Sequence, residues 1–119
     1  EFRRVLFRSV SDFLSINCTS TEETRYIINK KTLNYFPDGA VIANTARGEI
    51  IEDVSMIEAL KSGKIYSLGL DVFNDEPYNG PLKGYDNVIL TPHIGSYAKE
   101  IRMAMELESV NNLISGLKN

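Results

Sequence analysis

His93 is the only histidine among the 119 residues, and an imidazole, with an ordinary pKa of about 6.5, is the side chain best suited to exchanging a proton at neutral pH. It sits on a short loop, Thr91-Pro92-His93, that follows the apolar run Val88-Ile89-Leu90. Glu76 lies in the loop after the preceding apolar run. A carboxylate brought beside an imidazole fixes the ring's orientation and favours its protonated form. Arg47 directly follows a third apolar run and is flanked by Ala46 and Gly48. An arginine placed there is costly unless it meets an anion, and its planar fork matches a carboxylate in two hydrogen bonds. Gly48 would let a bound group come close to the backbone. Each residue also has an ordinary reading: a satisfied structural histidine, a solvated loop carboxylate, a salt bridge at a strand end. As a set they make an anion anchor, a proton carrier and a group that tunes it. Spacing alone leaves several proton-transfer reactions open.

The elements that must carry these residues alternate short apolar runs with helical patterns. Phe13-Leu14-Ser15-Ile16 reads as a strand, and Ser20 with Glu23 forms a capping-box pattern for a brief helical turn. Asn29 is placed to cap a short helix through Tyr35, and Pro37-Asp38-Gly39 makes a turn. Ala40-Val41-Ile42-Ala43-Asn44 is apolar without alternation, which suits a strand buried on both faces of a parallel sheet. Asp53 reads as the N-cap of a helix from Val54 to Ser62 that Gly63 closes, with Val54, Ile57 and Leu60 on its apolar face. Ile65 to Val72 is strand-like, residues 74–84 are turn-rich, and Val88-Ile89-Leu90 is a last strand. A final helix runs from about Tyr97 to Leu117, with an apolar stripe at Met103, Leu107, Val110, Ile114 and Leu117. Strand, helix, strand, helix, strand predicts an α/β fold with a parallel sheet and right-handed crossovers. Ligands of such sheets gather at the carboxyl ends of the strands, where Cys18, Thr45 to Gly48, Asp71, Glu76 and His93 all fall.

Composition narrows the function classes. A net charge of −3 lacks the basic stripe that nucleic-acid binding needs. No apolar run approaches the ~18 residues of a membrane span. The single Cys18 excludes an internal disulfide framework and a zinc cluster built on several thiolates, and a reducing, cytoplasmic setting is the simplest inference. Glu1 to Ser9 alternate Arg with Phe and Leu in no useful pattern and read as a non-native scar rather than a signal peptide.

Four blocks of this sequence resemble the D-isomer-specific 2-hydroxyacid dehydrogenases. They are Ser11-Asp12 through Cys18, Glu23-Thr24 and Ile28-Asn29; Gly39-Ala40 through Asn44-Thr45-Ala46-Arg47-Gly48 to Ile51-Glu52-Asp53; Ala59-Leu60, Ser62-Gly63, Leu70-Asp71-Val72-Phe73 and Glu76-Pro77; and Leu90-Thr91-Pro92-His93-Ile94-Gly95-Ser96 with Glu100 and Arg102. The ending, through Tyr97 to Arg102, is most similar to phosphoglycerate-dehydrogenase-like members. The resemblance implies an oxidoreductase acting on a small D-2-hydroxy or 2-keto acid with NAD (NADP remaining open). It implies Arg47 as the substrate-carboxylate anchor, His93 as the acid/base and Glu76 as its acidic partner. Asp71 would contact the nicotinamide carboxamide, and Cys18, Thr45, Ala46, Arg47, His93, Gly95 and Ser96 would line the cofactor site.

It also implies an organisation. Residues 10–93 would be the C-terminal half of a Rossmann-type NAD-binding domain, and residues 94–119 a return segment and helix of the substrate domain. The helix stripe would then pack on a partner outside this chain. The family's G-x-G-x-x-G loop and ribose-binding acidic residue have no counterpart in these 119 residues, so the chain alone is expected to be inactive. Thr19-Ser20 stand where the family usually has Pro-Leu, which alters the loop after Cys18. Homodimers are usual in the family, and no metal is implied. A dinucleotide-sensing or corepressor-like relative without metabolic turnover would carry the same three residues, and so would an inert truncated product.

Overall fold

The computed structural model describes residues 9–117, so the expected scar lies, apart from Ser9, outside the described residues. Four strands build one sheet: β1 (Phe13–Ile16), β2 (Ala40–Asn44), β3 (Ile65–Leu70) and β4 (Val88–Leu90). All are parallel, and they lie side by side in chain order. A short helix α1 (Lys30–Leu33) lies between β1 and β2, and α2 (Asp53–Ser62) between β2 and β3. The β3–β4 connection holds only a 3-10 turn at Pro81–Gly84, and the long helix α3 (Lys99–Leu117) follows β4.

The register explains which side chains build the core. Leu14, Ile42, Leu68 and Val88 share one row across the sheet, and Ile16, Asn44, Leu70 and Leu90 the next row on the same face. That face packs on α1, α2 and the loops, with Ile42, Ile50, Met56, Ile65, Leu68 and Leu82 buried at its centre. The opposite face carries Phe13, Ser15, Ala43, Ser67, Gly69 and Ile89, and Phe13 and Ile89 there are exposed. β2 is therefore fully buried on one face only, where burial on both was expected. Side chains alternate along a strand, so Ala40, Ile42 and Asn44 are inside while Val41 and Ala43 are half-covered.

Local expectations shift by small steps with clear causes. The capping pair after β1 is Thr21 with Thr24, because the Thr24 hydroxyl accepts from the Thr21 amide at 2.8 Å. Ser20 instead donates to Glu49 at 2.5 Å. Asn29 does cap α1: its side chain accepts from the Lys31 and Thr32 amides, and Thr32 completes the box. The helix ends at Leu33 rather than Tyr35. Asp53 is the first residue of α2 and Glu52 its N-cap. The buried stripe of α2 is Met56, Ala59 and Leu60; Val54 is 67% exposed. Gly63 closes the helix with a left-handed φ of 77°, a conformation that glycine adopts without the Cβ penalty. β3 stops at Leu70, two residues short of Val72, although the Asp71 amide still donates to the Asn44 carbonyl at 3.0 Å. α3 begins at Lys99 rather than Tyr97 and buries none of its residues.

Candidate active site

The arginine turn is built on a buried amide. Asn44 ends β2 with no exposed surface. Its Nδ2 donates to the Arg47 carbonyl at 2.9 Å, and its Oδ1 accepts from the Ala46 amide at 3.0 Å. An asparagine that bonds the backbone two or three residues on closes a tight turn, and here it turns the chain out of the sheet. The Arg47 side chain is exposed, donates to the Ala46 carbonyl at 2.6 Å, and forms no ion pair among the described residues. Exposure removes the desolvation cost that burial would have imposed, so the guanidinium needs no resident anion. Cys18, Thr45, Ala46 and Arg47 line one cleft of about 470 Å³ with Asn17, Thr19 and Ser20, across the ends of β1 and β2.

Gly48 has a different role from the one expected. It is buried, and a Cβ there would lie 2.0 Å from the Phe73 carbonyl carbon and 2.4 Å from the Asn74 amide nitrogen. The close approach is made by the chain's own backbone. The same stretch holds Glu76, whose Oε1 accepts from the Phe73 amide at 3.1 Å. Asn74 ties the two loops further, donating to Asp53 Oδ1 at 3.0 Å and to the Ile51 carbonyl at 3.4 Å. Burial pushes the Asp53 carboxyl above the ordinary range, against the Asn74 bond that lowers it.

Glu76 and His93 meet. Nδ1 of His93 lies 2.8 Å from Glu76 Oε2. A carboxylate can only accept, so Nδ1 carries the proton in this bond and Nε2 is the nitrogen it leaves open to exchange one. The two side chains keep 46% and 38% of their surface exposed, so proton donor and solvent stay in reach of each other. The His93 bond, and after it the Phe73 amide, hold the Glu76 carboxyl below the usual range.

Asp71 anchors the histidine loop. Its side chain is 6% exposed in total residue surface. Oδ1 accepts from the Thr91 hydroxyl at 2.6 Å and the Ile94 amide at 2.9 Å, and Oδ2 from the Gly95 amide at 2.9 Å. Burial pushes its carboxyl up, but these donors and nearby His93 outweigh that and bring it below the usual range. Ser96 lies apart from both clusters, in a cleft against α3 with Arg102 and Met105.

Residues 5–95 match the family model described as D-isomer specific 2-hydroxyacid dehydrogenase, NAD binding domain. The chain belongs to this family. It is 45% identical over 106 residues to a glyoxylate reductase of Pyrococcus furiosus, covering 88% of this chain and 32% of that protein. Among solved structures it superposes on a glyoxylate reductase from Paecilomyes thermophila with a TM-score of 0.93 and 40% identity, over 98% of this chain and 36% of that one. It superposes on a D-lactate dehydrogenase from Aquifex aeolicus, complexed with NAD and lactic acid, with a TM-score of 0.86 and 30% identity, over 97% of this chain and 40% of that one. The chain thus spans about a third of the length of the curated relatives it matches. The α/β parallel-sheet expectation and the 2-hydroxyacid dehydrogenase resemblance both hold.

Two residues of this candidate site were not expected from the sequence as site residues. Asn44 left a signal, a polar residue closing an otherwise apolar strand just before the arginine. Asn74 left none, because its value depends on where Asp53 and Ile51 arrive from another loop. Among the described residues no helix is long and apolar enough to cross a membrane, and no group of three or more His, Cys, Asp or Glu is placed to hold a metal.

Proposed function

We propose that this chain supplies the substrate-anchoring and acid/base half of an oxidoreductase that interconverts a small D-2-hydroxy acid and its 2-keto acid with NAD. The observation that carries the reading is the 2.8 Å His93–Glu76 pair, set at the same carboxyl edge of the sheet as the exposed Arg47 guanidinium, which has no ion pair among the described residues. Arg47 holds the substrate carboxylate in a bidentate contact. In oxidation, Nε2 of His93 takes the proton of the C2 hydroxyl; in reduction it returns that proton to the keto oxygen. Glu76 keeps the ring oriented through Nδ1 and stabilises the imidazolium that forms. NAD, when bound, would accept the hydride from the substrate's C2 in oxidation and, as NADH, return it in reduction. The cleft beside Arg47 suits its nicotinamide end: the lining side chains are short or polar, and the nearby Glu49 carboxylate is occupied by Ser20. Nothing in the 119 residues matches a glycine-rich phosphate loop, so the chain alone is expected to turn nothing over.

The test is a chimera in which residues 10–119 replace the matching segment of the Pyrococcus furiosus glyoxylate reductase. Reduction of glyoxylate and hydroxypyruvate is followed with NADH and with NADPH. Turnover is expected, falling about 10²–10⁴-fold in His93→Ala. Arg47→Lys is expected to raise KM more than it lowers kcat, because a point charge replaces a fork. A folded chimera that binds NADH yet reduces no 2-keto acid would favour a sensing role and overturn the reading.

A further inference from the structure

His93 stands in a backbone conformation that few non-glycine residues adopt. Its φ is +55°, in the left-handed region that is uncommon for a residue with a Cβ, although histidine enters it more often than most. Something must hold it there, and the surrounding bonds converge on one carboxylate. Residues on both sides of His93 are tied to Asp71: Thr91 before it, Ile94 and Gly95 after it. The Thr91 amide is also fixed to the Leu70 carbonyl at 2.9 Å, so the clamp is seated on β3. A Cβ on Gly95 would lie 3.0 Å from Asp71 Oδ2, which shows how tightly that turn closes on the carboxylate.

We infer that Asp71 is a positioning residue that clamps the Thr91–Gly95 loop around its left-handed histidine and so presents His93 to Glu76. This deepens the acid/base reading of His93 but is tested without turnover. A carboxylate offers about four lone-pair sites, and the loop takes three of them. A cofactor carboxamide therefore has one acceptor site left at Asp71. Asparagine in its place would turn an NH₂ group toward at least one of the three donors.

Two charge effects on Glu76 make the clamp separable from simple electrostatics. The Asp71 charge raises the Glu76 carboxyl, and the His93 bond, which is the larger influence, lowers it. Removing the Asp71 charge while the loop stays in place would move the Glu76 titration down. Releasing the loop would break the His93 contact and move it up. The experiment follows the Glu76 ¹³C-carboxyl titration and amide hydrogen exchange in the 119-residue chain, comparing wild type with Asp71→Asn and Thr91→Val. The clamp predicts an upward Glu76 midpoint in Asp71→Asn, with Ile94 and Gly95 amides exchanging about tenfold faster or more. Ile42 and Leu68 amides in the sheet should keep their protection, which shows that the body remains folded. Thr91→Val keeps the charge and should move both readouts the same way by less. A downward midpoint with unchanged Ile94 and Gly95 exchange would overturn the clamp. If Asp71→Asn does not fold, Thr91→Val decides: no change in either readout overturns the proposal.

Discussion

The sheet body and α3 are made of similar residues and are held in opposite ways. In the body, α2 is ten residues long, and Met56, Ala59 and Leu60 on it are buried in the core, the helix packing against β3 and α1. α3 is nineteen residues long and buries none, although Met103, Leu107, Val110, Leu113 and Ile114 recur at helical spacing. An amphipathic stripe states that a helix has an apolar face; it does not say that the partner is in the same chain. The comparison also separates the chemistry from the helix. Arg47, Glu76 and His93 all stand on loops pinned to the body by Asn44, the Phe73–Asn74 backbone and Asp71. A rigid scaffold with functional side chains on short anchored loops is the usual division of labour in α/β proteins.

The most severe way to test the contrast is a matched pair of glycines. At Gly48 an added methyl must displace the Phe73 and Asn74 backbone, whereas at Gly116 in α3 it meets nothing within 4 Å. Gly48→Ala should lose about 3 kcal/mol or more in chemical denaturation, since neither loop can move without disturbing the other. Gly116→Ala should be neutral or gain up to about 1 kcal/mol from helix propensity. Equal effects would dissolve the distinction. Truncation gives the next contrast. Met56→Ala or Ile42→Ala should cost about 2–5 kcal/mol through lost burial and a residual cavity. Leu107→Ala or Leu113→Ala should stay within about 0.5 kcal/mol in the isolated chain.

Asn44→Ala would strip the Arg47 turn of both its side-chain bonds, leaving the Arg47 carbonyl only its bond from the Ile50 amide and the Ala46 amide without its Asn44 partner. A loss of about 1–3 kcal/mol is expected, with the denaturant midpoint shifting and its slope unchanged. The smallest effect is the pH dependence. Asp71 and Glu76 are both held below their ordinary range in the folded chain. Their contribution is therefore fully present above the unfolded carboxylate pKa of about 4 and is lost as pH falls through the lower folded values. Asp53 runs the other way, because its raised carboxyl favours the folded chain in acid and that benefit is lost as pH rises. The net expectation is a denaturation midpoint that falls on acidification below about pH 4, less steeply in Glu76→Gln. A midpoint that rises on acidification would mean that Asp53, not the site carboxylates, dominates.

The linear sequence determined the elements and the edge at which they would converge. Apolar runs at 13–16, 40–44, 65–70 and 88–90 are all strands, and Asn29 and Gly63 bound their helices as their side chains and lack of one require. These are local matters, settled by period and by capping chemistry within a few residues. The candidate site residues were legible for a related reason, since a parallel sheet places the residue after each strand on one edge. What the chain's order did not contain was anything set by a meeting of distant segments. Asn44 holding the Arg47 turn, Gly48 making room for Phe73, and Asp71 gripping residues 91–95 depend on how neighbouring strands stack their ends. Burial likewise belongs to the folded whole: the same apolar spacing is inside in α2 and outside in α3, because a side chain is buried only by what the tertiary structure brings against it.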